Sequence, residues 1–455
     1  MEHMTLELIA ACCNGTYFGE ETKKNIEVSN IAIDSRKIMP GGLFIPICGE
    51  RVDGHDFIPN VIQAGALACL SEKPLENPPY PYILVKSTRT ALQNIAAYYR
   101  KSLDIKVIGI TGSVGKTSTK EMIAAVLSEK YNVHKTAGNF NNEIGLPLTI
   151  FGIQKEHEIA ALEMGISDFG EMHRLAETAN PDICVITNIG QCHLENLGSL
   201  DGVLKAKTEA FAHLRENGVA ILNQDDEKLA NITQVNGNPP IWYGKKQGDA
   251  YASEIESLGI EGIRIRLHLM EESQTVTIPI AGEHNIYNAL AAACAGKACG
   301  MTLAEICRGI ERVKTIGGRS NIIKRNGITI MDDCYNANPM SMRASLDVLS
   351  GASGRKIAIL GDMGELGEKE RALHAEIGAY AAKKQIDYLF CVGELSKEMV
   401  AAAAAVKGSG VYTAHFDTKE DLLAYLPMAI KKGDTLLVKA SHFMQFSKIV
   451  EAFAE

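Results

Sequence analysis

Gly109-Ile-Thr-Gly-Ser-Val-Gly-Lys-Thr-Ser-Thr119 is the stretch that decides the fold of this chain. It lies between an apolar run, Val107-Ile-Gly-Ile-Thr111, which reads as a buried strand, and residues 116–130, which read as a helix. Glycines in such a turn let backbone N–H groups close round phosphate oxygens, and the helix N-terminus adds a positive dipole. Lys116 would reach the β- and γ-phosphates of a nucleotide, and Thr117 would offer its hydroxyl to Mg²⁺. Gly112, Ser113, Gly115 and Ser118 complete the loop. The usual pattern places its first glycine where Ile110 stands, whereas here Gly112 sits nearer the turn. The plain alternative is a glycine-rich turn that binds nothing, but Gly-Lys-Thr in a strand–helix setting favours the phosphate loop.

Working outward, the same rhythm repeats. Residues 159–164 pair with a helical segment at 171–179, residues 183–188 with 200–214, and a further strand follows at 218–223. Strands alternating with helices imply a parallel sheet wrapped by helices. The alternation Ile263-Arg-Ile-Arg-Leu-His-Leu269 reads as antiparallel, and an alanine-rich helix at 286–299 packs back. Upstream, strand-like pieces at 31–33, 43–47 and 82–85 alternate with helical ones at 57–66 and 91–102, with a proline-rich loop at 73–81. Downstream of a hinge at Gly317-Gly318, strands at 328–331, 356–360, 388–392 and 435–438 form a second open α/β sheet. That sheet lacks Gly-x-Gly-x-x-Gly at its first turn, so dinucleotide binding is not supported. The expectation is an α/β protein of three domains. They are a small N-terminal α/β domain at 1–103, a central P-loop parallel-sheet ATPase domain at 104–316, and a C-terminal Rossmann-like α/β domain at 317–455.

Composition narrows the class of function. Apolar residues at 46% and charged residues at 22% are the mix of an ordinary globular protein. A formal charge of −9 lacks the basic excess of a nucleic-acid binder. The start, Met1-Glu-His-Met-Thr-Leu-Glu-Leu8, has no basic n-region, and the alanine run at 401–405 is far shorter than the ~20 residues of a membrane span. The eleven cysteines are scattered without Cys-x-x-Cys or a zinc-like spacing, which suits reduced thiols in a cytoplasmic protein.

Other positions carry weaker signals. Glu163 ends a buried parallel strand, where a carboxylate points into the ligand crevice, and it could bind Mg²⁺ or simply cap a loop. His193 follows another strand, and a lone histidine there is as readily structural as a ligand. Lys207, in Leu204-Lys-Ala-Lys-Thr208, reads as a solvated charge on an amphipathic helix. Asn139, Asn141 and Asn142 cluster in a loop that suits hydrogen bonding or turn chemistry. Asn285 and Asn288 open the alanine-rich helix, and Asp332-Asp-Cys-Tyr-Asn-Ala-Asn-Pro339 ends a strand with two acids and two amides.

Together these segments resemble the Mur ligase family, the ATP-dependent amide-bond-forming enzymes of bacterial cell-wall synthesis. The resemblance runs from Asp34-Ser-Arg36 to Val438-Lys-Ala-Ser441. It implies a ligase that joins D-Ala-D-Ala to UDP-N-acetylmuramoyl-tripeptide through an acyl phosphate, using ATP and Mg²⁺. It also implies residue roles. Ser35 and Arg36 would face the uridine, with residues 49–57 nearby. Thr117, Glu163, His193 and a CO₂-carbamylated Lys207 would serve the metal, and Lys116 with the last three would carry catalysis. Asn142 joins the nucleotide set, with adenine near Asn285 or Asn288. Arg319 would meet a phosphate, Asp333 the ribose hydroxyls, and Asn336 and Asn338 the dipeptide. Closure at Gly317-Gly318 would bring Arg319 and Asp333 over the nucleotide. The protein is expected to act as a monomer, without nucleic acid or membrane. A folylpolyglutamate-synthase-like ligase is the runner-up, but that family places its phosphate loop near the start. A P-loop kinase, a GTPase or a scaffold leaves the last third of the chain or Lys116 without a task.

Overall fold

The computed structural model describes residues 3–49 and 52–454. Three sheets order the chain. The first is five-stranded and runs Thr16–Phe18, Tyr82–Leu84, Ala68–Ser71, Leu43–Phe44, Ile31–Ala32. Its strands are parallel except for Thr16–Phe18 at the edge. Glu50 and Arg51, within the stretch 49–57 singled out above, lie outside the described residues. The helix Thr88–Ser102 starts where the Ser87 hydroxyl accepts the N–H of Thr90. It buries Leu92, Ile95, Ala96 and Tyr99, a stripe at helical spacing that joins this sheet's core to that of the next.

The second sheet has nine strands, in the order Glu272–Ile278, Ile263–Leu269, Ala250–Ser257, Ile241–Tyr243, Val219–Asn223, Ile183–Ile186, Lys106–Thr111, Ile159–Glu163, Val133–Lys135. From Val133–Lys135 through Ala250–Ser257 the pairing is parallel, and the remaining pairs are antiparallel, as the alternation at 263–269 implies. Parallel strands share a direction, so the carboxyl ends of Lys106–Thr111, Ile159–Glu163, Ile183–Ile186 and Val219–Asn223 line one rim. The helix His284–Ala298 is alanine-rich and buried along most of its length, which lets it pack tightly against the phosphate-loop helix Lys116–Leu127.

The third sheet runs Asn321–Arg325, Ile328–Asp332, Thr435–Lys439, Lys356–Gly361, Tyr388–Val392, Tyr412–Phe416. The strand Thr435–Lys439 inserts between Ile328–Asp332 and Lys356–Gly361, which brings Lys439 beside the acid-rich end of the first parallel strand. All eleven cysteines are free thiols, nine of them buried. Among the described residues no helix is long and apolar enough to cross a membrane.

Candidate active site

The phosphate loop closes on the neighbouring strand end. Ser113 N–H donates to the Asn188 carbonyl at 3.0 Å, and Val114 N–H donates to Asn188 Oδ1 at 2.9 Å. Gly112 has φ +144°, and a Cβ there would collide with the Thr187 hydroxyl, so only glycine fits. Gly115, at φ +84°, caps the helix Lys116–Leu127 without a side-chain acceptor. The N–H groups of that first turn therefore face the cavity ready for an anion. Lys116 Nζ donates back to the Gly112 carbonyl at 2.9 Å.

Glu163 is buried at the rim. Its Oε2 accepts from Thr117 Oγ1 at 2.8 Å, its Oε1 from Asn141 Nδ2 at 2.7 Å, and its N–H donates to Thr136 Oγ1 at 2.9 Å. His193 stands at φ +50°, and its Nδ1 lies 2.6 Å from Glu365 Oε2 of the third sheet's domain. The histidine beside it holds the Glu365 carboxyl below the usual range.

Lys207 corrects the reading of a solvated charge. It is 1% exposed and, among the described residues, its Nζ makes no hydrogen bond or ion pair. Burial, with the charge of Lys116 adding to it, pushes its ammonium down to about 7. An aliphatic ammonium in that setting has lost most of its hydration without gaining a counter-charge.

Across the cavity stands the C-terminal wall. The Arg319 guanidinium lies 4.1 Å from the Tyr335 ring centroid, within cation–π range. Asp333 accepts from Lys439 Nζ at 2.6 Å, from Ser345 Oγ at 2.5 Å and from Ser320 N–H at 3.1 Å. Burial alone would raise the Asp333 carboxyl, but Lys439 and these donors carry it below its ordinary value. Asn338 caps the helix Pro339–Ser350, accepting from Ser341 N–H at 2.9 Å, while Asn336 Oδ1 accepts from Ala337 N–H at 2.9 Å. The hinge glycine is tied to this wall, since Gly318 N–H donates to Asp332 Oδ2 at 2.7 Å.

One cavity of about 670 Å³ joins the two walls. Ser113, Gly115, Lys116, Thr117, Ser118, Asn142, Glu163, His193, Asn288, Arg319, Asp333, Asn336 and Asn338 all line it. Of the two asparagines left open, Asn288 faces the cavity, held by Thr119 Oγ1 at 2.8 Å. Asn285 lies behind, donating to the Ala281 carbonyl and accepting from Asn288. Gly112 and Lys207 also sit behind the lining. Ser35 and Arg36 lie outside it, in the short turn Ser35–Lys37, where the Arg36 guanidinium donates to Asp34 at 2.9 and 2.8 Å and its backbone N–H at 3.0 Å. The reading of the sequence missed Asn223, Asp225, Tyr287 and Lys439, which also line the cavity. Asn223 and Lys439 end parallel strands, and that position was the available signal.

Among the described residues no three His, Cys, Asp or Glu side chains converge on a common metal position. The polar set at the rim is instead a hydroxyl, one carboxylate and one imidazole, with Lys207 behind. Hydroxyl and carboxylate oxygens suit Mg²⁺, whereas a bare ammonium does not.

A glycine loop at the end of a parallel strand, faced by a second α/β domain that brings an arginine and an aspartate, defines a nucleotide-using enzyme of the P-loop class. Comparison with known proteins narrows it. Residues 27–100 match the model for the Mur ligase family catalytic domain, 110–296 the Mur ligase middle domain, and 318–442 the Mur ligase glutamate ligase domain. The UDP-N-acetylmuramoyl-tripeptide–D-alanyl-D-alanine ligase of Bacillus subtilis (strain 168) is 40% identical, over 99% of this chain and 98% of that one. A crystal structure of MurF from Acinetobacter baumannii superposes with a TM-score of 0.90 at 32% identity, covering 99% and 98% of the two chains. MurF ligase from Thermotoga maritima, solved in complex with ADP, gives a TM-score of 0.84 at 30% identity over 93% and 97%. The chain belongs to the Mur ligase family.

Proposed function

We propose that this chain is the ligase that joins D-Ala-D-Ala to UDP-N-acetylmuramoyl-tripeptide at the expense of ATP. The observation that carries the reading is likeness over 99% of the chain to a relative of that activity, with the phosphate loop and the C-terminal wall meeting in one cavity. We assign residues 1–103 to the UDP-sugar, 104–316 to ATP and 317–455 to ligation, with Gly317-Gly318 as the hinge. We take the enzyme to act as a cytoplasmic monomer.

The tripeptide's terminal carboxylate oxygen attacks the γ-phosphorus, the bond to the β-phosphate oxygen breaks, and ADP leaves behind an acyl phosphate. Lys116 and the N–H groups of the first helical turn offset the charge that builds on the phosphoryl oxygens. The neutral amine of D-Ala-D-Ala then attacks the carbonyl carbon, phosphate departs with the bonding electrons, and the amine loses its proton. Arg319, presented by Tyr335, meets a phosphate, Asp333 the ribose and Asn288 the adenine. Asn142 joins the residues that meet the nucleotide, Asn336 and Asn338 face the dipeptide, and Ser35 with Arg36 face the uridine. The two walls keep water from the acyl phosphate, which would otherwise hydrolyse.

Thr117, Glu163, His193 and Lys207 are the residues that would hold Mg²⁺, which when bound supplies positive charge to the phosphates. Lys207 takes part as a carbamate. The ammonium first gives up one proton; the neutral amine then adds to the carbon of CO₂ and releases a second, so that an unpaired cation becomes a carboxylate-like anion. An amine whose conjugate acid lies near 7 is available for that addition at neutral pH.

The test is phosphate release with UDP-tripeptide and ATP, with and without D-Ala-D-Ala, and product mass as the second readout. Release that depends on the dipeptide, with a product of the pentapeptide's mass, is the expected result. Release indifferent to the dipeptide would overturn the reading.

A further inference from the structure

The phosphate-loop helix carries a second lysine one turn beyond Lys116. Lys120 is fully buried, its Nζ donates to the Thr136 carbonyl at 2.6 Å, and it lies 3.0 Å from Glu121 Oε1. A buried ammonium persists only when paired, and Glu121 supplies the charge. Glu121 also pairs with the exposed Lys135. Charge balance therefore accounts for Glu121 and leaves the bond to Thr136 to be explained.

Thr136 is the point where the strand Val133–Lys135 gives way to the amide-rich loop. Its N–H donates to the Ala161 carbonyl at 3.1 Å, and its Oγ1 receives the N–H of Glu163 at 2.9 Å. Further along the loop, Asn141 donates to Glu163 Oε1 at 2.7 Å, and the Asn141 carbonyl accepts from Gly165 N–H at 2.8 Å. Glu163 is thus gripped at backbone and side chain by one loop, and the root of that loop is fastened to the phosphate-loop helix by Lys120. Thr117, on the same helix, holds the other carboxylate oxygen at 2.8 Å.

We propose that Lys120 is a positioning residue that locks the loop at 136–141 to the phosphate-loop helix and so fixes where the Glu163 carboxylate points. The inference rests on the reading of Glu163 as a metal-holding residue. Lysine suits the place because its long stem crosses between helix and loop, and its three donors reach a carboxylate and a carbonyl at once. Methionine has similar length and no donor.

The experiment titrates Mn²⁺ by electron paramagnetic resonance against full-length protein holding a non-hydrolysable ATP analogue. The variants are Lys120→Met, Thr136→Val, Lys135→Met and Glu163→Gln, with thermal melts alongside. Loss of an outer partner of a metal ligand typically weakens affinity about 10- to 100-fold. Lys120→Met and Thr136→Val should both fall in that range with the Mg²⁺ requirement for turnover raised, while Lys135→Met binds like the parent. A folded Lys120→Met protein that binds Mn²⁺ normally while Glu163→Gln does not would overturn the role of Lys120 alone. Normal Mn²⁺ binding by Glu163→Gln would remove the metal reading, and this inference with it. Should Lys120→Met not fold, Lys120→Gln decides, since it keeps a donor but is too short to reach the Thr136 carbonyl, and unchanged Mn²⁺ affinity there overturns the proposal.

Discussion

The two walls of the cavity treat buried charge in opposite ways. On the C-terminal side Lys439 is 3% exposed and ion-paired with Asp333, so the cation and the anion cancel before any ligand arrives. On the central side Lys207 is 1% exposed and stands alone near Lys116. Removing a charge from water costs several kcal/mol unless a partner repays it. The C-terminal wall holds its partner within itself. The central wall leaves Lys207 without a partner among the described residues, which suits a region that receives phosphates.

The sharpest way to break this contrast is Lys116→Ala. One main phosphate cation is lost where charge builds up, and turnover should fall about 10²- to 10³-fold while the melting temperature stays close to the parent's. Near-normal phosphate release from the folded variant would move the chemistry away from the glycine loop.

Next in size is Lys207. Lys207→Arg keeps the positive charge and cannot add CO₂, so activity should drop at least about 10-fold. Lys207→Ala should be equally poor, but acetate or formate should restore part of its activity by lending a carboxylate. A fully active Lys207→Arg enzyme would return Lys207 to the role of an ordinary helix residue. So would the absence of rescue combined with unchanged activity in CO₂-depleted buffer.

These two lysines also mark what a sequence can and cannot disclose. Lys116 was legible because a phosphate loop is local: a glycine turn, a lysine and a strand–helix junction lie within eleven residues, 109–119. The parallel strands around it were legible for the same kind of reason, since a strand covered on both faces becomes an apolar run. Lys207 was not, because Leu204-Lys-Ala-Lys-Thr208 is a pattern that surface helices share, and only tertiary packing turns that face inward. Of the strands missed in advance, Ala68–Ser71 is interior and buried but only four residues long, and others lie at edges. Thr16–Phe18 and Tyr412–Phe416 are partly exposed along their length, and Asn321–Arg325 pairs on one side only. Without a buried face they lack the apolar run that marks a strand. The Lys439–Asp333 pair was invisible because its members are over a hundred residues apart and meet only through the insertion of the last strand of the sheet.

The smallest effect tests the C-terminal wall, and its sign is set by pH. Asp333→Asn keeps the shape but strands Lys439 without its anion, so the variant should be less stable by about 1–3 kcal/mol at pH 7. Because the folded carboxyl is held below its ordinary value, the unfolded chain takes up the proton first as pH falls. The pair's contribution is complete above about pH 4, near the unfolded carboxyl's pKa. It fades as pH drops through the lower folded value, so the parent and Asp333→Asn should converge in urea melts under acid. Lys207 carries the opposite window. Its folded ammonium titrates near 7 and its unfolded one near the usual lysine value. Between those limits the unfolded state binds more protons, so in CO₂-free buffer the parent should gain stability as pH rises through that range. A Lys207→Met variant should lack that gain. Parallel curves for the parent and both variants at every pH would show that neither lysine has the environment described, and the contrast between the walls would fall.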